Sequence, residues 1–264
     1  MTDTDRPRLA YRALETRATV ATAGTLVALA AGAWWLTVQR AHDMRGMVQG
    51  LGSVGAMMTF DMSAGVFLAM WVTMMVAMMF PTIAPIVLLH RMVMRRQGAG
   101  LGPTLAFVAG YLVSWAIAGL VPLALLLGVR HVSAGASWVA PTAGAVLIVA
   151  GAYQFTAWKE VCQKACRSPL TFLTTHDFGT GLGGAAKTGW VHGLYCLGCC
   201  WALMTVLVVV GLMNLVWMAA IAVIFLAEKH WDRGLALTKV AGVGIAALGI
   251  AILFEPSVLT SISS

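Results

Sequence analysis

The chain contains long runs of apolar residues, each about as long as a helix that crosses a lipid bilayer. Such a span takes about 20 residues, and the runs lie at 18–38, 62–89, 103–128, 138–157, 189–210, 213–227 and 236–254. Hydrophobic residues make up 60% of the chain and charged residues only 10%, whereas about 25% are charged in a soluble domain. The sequence therefore predicts an all-α, polytopic transmembrane helical bundle.

The number of spans is predicted to be six or seven, because the run 213–227 is short and follows its neighbour after almost no loop. It could be a tilted span or half of a re-entrant pair. The predicted segments are a cytoplasmic tail over 1–17, a first helix with an external loop over 18–61, a metal-binding bundle over 62–254 that contains a cytoplasmic loop at 158–188, and an external tail over 255–264.

The basic residues predict how these spans are oriented. With the N-terminus inside and seven spans, fourteen of the 17 Lys and Arg residues fall on the inner side and three on the outer side. Cytoplasmic loops carry such an excess of basic residues. The expected location is the bacterial inner membrane, with the lipid bilayer as a partner. Nucleic-acid binding is not predicted, because the basic residues are dispersed over separate segments.

Three cysteines within five residues mark the run 189–210. His192, Cys196, Cys200 and Met204 follow at intervals of four, so on a helix they form one stripe, with Cys199 on the adjoining flank. Thiolate, thioether and imidazole groups favour soft metals, with Cu(I) first and Zn(II) second. The alternative is that the cysteines are small residues at a tight helix contact.

A second pair of cysteines lies in the predicted cytoplasmic loop. Cys162 and Cys166 stand four residues apart, and His176 follows within reach. Thiols stay reduced in the cytoplasm, so this pair is predicted either to hold a metal ion or to serve as its exit. The odd total of five cysteines argues against a simple disulfide framework.

The run 62–89 carries a stripe of methionines. Met74, Met75, Met78 and Met79 are candidate ligands within residues 70–79, and thioethers bind Cu(I) without losing a proton. The external loop adds Met44, Met47, Met57, Met58 and Met62. The alternative for the stripe is packing, since methionine fills irregular gaps between helices. The alternative for the loop methionines is an interfacial amphipathic helix between the first two spans, with methionine on its buried side.

Four segments of the chain resemble the predicted metal-binding integral membrane proteins of bacteria. They occur in the same order as in those proteins. They are 75–85, with Met78, Met79 and Pro81; 153–169, with Cys162 and Cys166; 192–204, with the three clustered cysteines; and 211–218 with Asn214, followed by Glu228 and Lys229. The resemblance covers about residues 62–230. It implies metal binding, with copper handling suspected, and leaves the mechanism open.

The residues and the resemblance together predict a protein that binds Cu(I), with zinc as the other candidate metal, for transfer, storage or delivery to a membrane metalloenzyme or copper chaperone. No enzyme motif, such as a phosphate-binding glycine loop or a nucleophile elbow, competes with this prediction. Two alternatives stay open: a membrane thiol–disulfide oxidoreductase and a structural subunit of a membrane complex. A site completed by two copies of the chain also stays open.

Overall fold

A computed structural model describes residues 5–44, 63–129, 137–175, 181–212 and 214–263, and within these ranges it contains eleven helices and no strand. The helices are α1 (Asp5–Met44), α2 (Ala64–Arg96), α3 (Gly102–Ala118), α4 (Leu120–Val129), α5 (Val139–Tyr153), α6 (Ala157–Arg167), α7 (Pro169–Thr175), α8 (Gly181–Val210), α9 (Leu215–His230), α10 (Gly234–Phe254) and α11 (Ser257–Ser263). The all-α prediction is confirmed for the described part of the chain.

Five helical segments are long and apolar enough to cross a membrane. They are Ala18–His42, Ala64–Arg96, Gly102–Gly128, Gly181–Val210 and Gly234–Phe254. Helices α5 and α6 make a sixth if their bent pair counts as one span. Helix α9 has 16 residues, about 24 Å of helix at 1.5 Å per residue. The predicted count of six or seven spans stays a prediction, as does the division into segments.

Small residues allow helices α3 and α8 to approach closely. A Cβ added to Gly189 would overlap the backbone carbonyl group of Phe107, and one added to Gly193 would overlap the hydroxyl group of Ser114. Small residues let helix backbones meet in this way. The contact holds the cysteine-bearing α8 in a definite position against α3.

Helices α5 and α10 pack through glycines in a similar way. A Cβ on Gly151 would lie 2.7 Å from the carbonyl oxygen of Gly242, and one on Gly144 would lie 2.8 Å from that of Gly249. This close pair places the end of α5, where the chain turns into α6, beside the bundle.

The chain bends by 63° between α5 and α6. Helix α6 begins after Thr156, whose side-chain oxygen accepts a hydrogen bond from the backbone N–H of Lys159 and so caps the helix. The predicted loop 158–188 thus holds most of α6, all of α7 and the start of α8. The bend returns α6 to the bundle, where it packs against α8.

The methionine stripe lies in the interior of the bundle on α2. This helix begins after Ser63, whose hydroxyl oxygen accepts a hydrogen bond from the N–H of Val66. It packs against α1, α3 and α9, and it contains Pro81 and Pro85. The buried methionines are Met74, Met75, Met78 and Met79.

Candidate metal centre

Three cysteine sulfurs from two helices come together inside the bundle. Cys196 and Cys199 lie on α8 and Cys166 lies on α6, and their Sγ atoms are all within 4.8 Å of one another. The Sγ atoms of Cys166 and Cys199 are 3.7 Å apart. Cys196 and Cys199 are buried, and Cys166 is half-buried. We call these three residues the cysteine cluster.

The separations of the sulfurs fit a single metal ion. An ion about 2.3 Å from each sulfur sets two sulfurs about 3.8 Å apart in a tetrahedron and about 4.0 Å apart in a trigonal plane. The distance between Cys166 and Cys199 is close to both values. Cys200 brings a fourth sulfur within 3.4 Å of the Cys199 sulfur, although it is not within 4.8 Å of all three. The donor set is therefore suited to a soft ion.

Helix α6 is held against the bundle by polar contacts on its buried face. Gln163 donates a hydrogen bond to the hydroxyl oxygen of Thr238 on α10 at 2.9 Å and another to the backbone carbonyl oxygen of Glu228 at 3.2 Å. Arg167 also donates to this carbonyl group. These contacts position Cys166 of the same helix beside Cys199.

A buried ion pair lies next to the cysteine cluster. The ammonium nitrogen of Lys159 is 3.0 Å from Oε2 of Glu228, and both side chains are almost fully buried. Lys159 also donates a hydrogen bond to the backbone carbonyl oxygen of Cys199. The pair thus joins α6, α8 and α9 at one point.

Two further polar groups contact Cys196. Its Sγ atom lies 3.2 Å from the ammonium nitrogen of Lys229 on α9 and 3.3 Å from the hydroxyl oxygen of Tyr111 on α3. Lys229 also donates a hydrogen bond to the hydroxyl oxygen of Thr82 on α2, at 3.1 Å. The contacts of Cys196 and Lys229 therefore join four helices, α2, α3, α8 and α9.

The structure leaves the other predicted ligands outside the group of three. Cys162 is half-buried against the backbone of α8, where a Cβ on Gly198 would lie 2.6 Å from its sulfur. His192 is buried, its ring centroid is 5.0 Å from that of Phe172, and its Nδ1 atom has no hydrogen-bond partner in the described part of the chain. Met204 is also buried on α8. Their roles as ligands stay predictions.

One methionine of α2 is connected to the cluster through polar groups. The sulfur of Met79 lies 4.0 Å from the hydroxyl oxygen of Thr82, which accepts a hydrogen bond from Lys229. At the other end of the stripe, Met70 and Met74 line an apolar crevice with Phe67, Trp71 and Leu212. The methionines thus extend from this crevice toward the cysteines.

Some predicted residues lie outside the described ranges. They are His176 and the loop methionines Met47, Met57, Met58 and Met62. Their part in the site stays a prediction.

Glu228 and Lys229 belong to the segments that carry the resemblance, and their separate partners were not predicted from the sequence. Lys159, Tyr111 and Thr82 were not predicted to line the site either. Charged residues directly after an apolar run, such as Glu228 and Lys229 after 213–227, are themselves a signal, because an unpaired charge in a membrane is costly. That signal is present in the sequence, but it does not identify the partner across the bundle.

The fold and the cluster define a helical protein with a buried thiol site suited to a soft metal ion. The chain belongs to the copper chaperone family PpoB2, whose family model matches residues 68–252. That range includes the whole cysteine cluster, Lys229 and the whole methionine stripe of residues 70–79. Comparisons with curated proteins and with solved structures gave no significant match.

Proposed function

We propose that the chain is an integral membrane protein that binds Cu(I) at the cysteine cluster and passes it to an acceptor. The observation that carries this proposal is the convergence of three thiol sulfurs within 4.8 Å. Membership of a copper chaperone family supports the choice of metal.

Membrane integration is supported by the apolar surface of the helices. Large hydrophobic side chains project outward, including Val216 at 77% exposure and Phe254 at 85%. An apolar surface of this kind is unfavourable in water and favourable in lipid. The proposed location is the bacterial inner membrane, with the N-terminus on the cytoplasmic side.

The number of donors in the group of three supports the choice of Cu(I) as the proposed metal. Structural zinc sites are almost always four-coordinate. Among the His, Cys, Asp and Glu side chains of the described residues, the group whose ligand atoms all lie within 4.8 Å of one another has three members. Thiolate sulfurs neutralise the charge of an entering cation, so the ion can leave water for the interior of the bundle.

The methionine stripe is proposed as the route by which copper reaches the cysteines. Neutral thioethers bind Cu(I) weakly enough to exchange it, and thiolates then hold it more firmly because they add charge. The ion would pass from Met70 and Met74 to Met79 and then to Cys196. Cys162, on the same helix as Cys166, is the proposed exit toward the cytoplasm.

Metal analysis of the purified protein tests this proposal. Protein in detergent is loaded with Cu(I) or with Zn(II) under anaerobic conditions, and bound metal is counted per chain. We expect one tightly bound Cu(I) in the wild type and none in the triple variant Cys166→Ser, Cys196→Ser, Cys199→Ser. Wild-type protein that holds no more copper than the triple variant would reject the proposal.

Two other outcomes separate the alternatives. Tight binding of zinc without copper would make the cluster a zinc site. A reversible loss of two free thiols under oxidation, with no bound metal in either state, would favour the thiol–disulfide oxidoreductase, since the sulfurs of Cys166 and Cys199 are already 3.7 Å apart.

A further inference from the structure

Lys229 is a buried cation that contacts a cysteine of the cluster. Its side chain lies in the interior, at 5% exposure, and its ammonium nitrogen is 3.2 Å from the sulfur of Cys196 and 3.1 Å from the hydroxyl oxygen of Thr82. A hydroxyl group cannot balance the charge of an ammonium group. The balancing charge must therefore come from another group.

The two buried lysines of the site differ in whether a carboxylate balances their charge. Lys159 has the carboxylate of Glu228 at 3.0 Å. Within the described ranges, no carboxylate oxygen lies within 4.0 Å of the Lys229 ammonium nitrogen. An ion without a partner in the interior is energetically costly, so buried charges are paired. Beside Lys229, the group able to carry negative charge is the sulfur of Cys196.

A copper–thiolate complex needs a cation of this kind. Cu(I) carries one positive charge, so its complex with two thiolates has a net charge of −1 and its complex with three has −2. Negative charge inside a bundle is unfavourable unless a cation lies nearby, because the effective dielectric constant there is low. Lys229 is already in contact with the sulfur that would bear part of that charge.

We infer that Lys229 is the counter-cation of the copper–thiolate centre, and that it stabilises the loaded state without being a ligand. The inference rests on the proposed function and deepens it. It assigns Lys229 a role in retaining copper rather than in holding the fold together.

Charge compensation can be tested by removing a positive and a negative charge in turn. Lys229→Leu removes the charge and introduces no sulfur or other group that could bind copper. Cys166→Met replaces a thiolate with a neutral thioether and so removes one negative charge from the same centre. If Lys229 balances charge, the loss of its ammonium group is harmful while all thiolates remain and much less harmful once one thiolate has gone.

The measurement is the dissociation constant for Cu(I), obtained in detergent at one pH by competition with a colorimetric Cu(I) chelator. We expect Lys229→Leu to weaken binding at least tenfold relative to the wild type. The double variant Cys166→Met, Lys229→Leu should bind within threefold of Cys166→Met alone. The control Lys239→Leu removes an exposed lysine of α10 and should leave the constant unchanged.

X-ray absorption at the copper edge provides a second readout. Because Lys229 is not a ligand, the copper in Lys229→Leu should keep the number of sulfur neighbours found in the wild type. Lys229→Gln also lacks the charge but retains a donor for Thr82, and it carries the same expectations if Lys229→Leu does not fold.

Three results have distinct meanings. Equal affinities of Lys229→Leu and the wild type would overturn the inference. A tenfold loss that persists in the Cys166→Met background would also overturn it, since a structural role predicts the same loss in both backgrounds. Failure of the wild type to bind Cu(I) at the cysteines would instead reject the proposed function.

Discussion

Lys159 of α6 and Glu228 of α9 form a buried ion pair across 69 residues of sequence, with 3.0 Å between Nζ and Oε2. The same ammonium group donates a hydrogen bond to the backbone carbonyl group of Cys199. The pair therefore fixes the position of α6, which carries Cys166, relative to the cysteine-bearing helix α8. Oε1 of Glu228 has no hydrogen-bond partner in the described part of the chain, so Lys159 supplies most of the compensation for this carboxylate.

We expect Lys159→Met to destabilise the protein strongly. It leaves the carboxylate of Glu228 buried without a cation, and removing one partner of a buried pair costs about 3–5 kcal/mol. The measurement is the free energy of unfolding of the metal-free protein in detergent, followed by circular dichroism.

The matched control is Lys164→Met on the same helix. Lys164 pairs with Glu160 at 2.6 Å, but both side chains are more than half exposed. Exposed pairs contribute little because water screens them, so this variant should unfold like the wild type. Equal stability of the two variants would mean that the buried pair does not hold α6.

Cys199→Ser should reduce Cu(I) binding more than Cys200→Ser does. The sulfur of Cys199 belongs to the group of three and lies 3.7 Å from that of Cys166, whereas Cys200 contacts Cys199 and is outside the group. We expect at least a hundredfold loss of affinity for Cys199→Ser and less than a tenfold loss for Cys200→Ser. Competition with a Cu(I) chelator measures both, and the reverse order would show that Cys200 is the ligand.

Gly189→Ala should prevent α3 and α8 from packing as they do. The added Cβ would overlap the carbonyl group of Phe107, which is backbone and cannot rotate away. Overpacked contacts cost about 1–3 kcal/mol or more. We expect a large fall in the yield of folded protein, measured by size-exclusion chromatography in detergent.

Gly183→Ala is the control for that substitution. Gly183 lies on the same helix, and no atom would lie within 4 Å of an added Cβ there. Alanine is favoured over glycine in a helix by about 0.5–1 kcal/mol, so this variant should fold at least as well as the wild type. A normal yield of Gly189→Ala would contradict the close contact.

The distribution of basic residues predicts which side of the membrane each connection faces. A reporter enzyme that is active only outside the cytoplasm should be inactive when fused after Gly98, between α2 and α3, and active when fused after Ser137, before α5. The opposite pattern would reverse the orientation. It would also place the α6 cysteines on the outer side, where a thiol–disulfide reaction is favoured.

Several features of this protein could be predicted from local pattern alone. Long apolar runs predict helices, and the spacing of Met74, Met75, Met78 and Met79 places them close together on one helix. The clustering of Cys196, Cys199 and Cys200 likewise requires only the geometry of a single helix. These predictions succeed because they involve residues a few positions apart.

The membership of the cluster could not be predicted in this way. The interval of four favoured a stripe through His192, Cys196, Cys200 and Met204, whereas the structure groups Cys196 with Cys199 and with Cys166 from another helix. Which flank of α8 faces α6 depends on the packing of α8 against α3 through Gly189 and Gly193. That packing is a contact between residues about 80 positions apart in the sequence.

Glu228 and Lys229 also show the difference between what sequence pattern predicts and what helix packing decides. Their position at the end of an apolar run indicates that each needs a partner when it is buried, because an isolated charge is unfavourable there. Since adjacent residues on a helix point in different directions, one reaches Lys159 and the other reaches Cys196. Sequence pattern establishes that such charges must be compensated, but the choice of compensating group depends on how separate helices are placed in space.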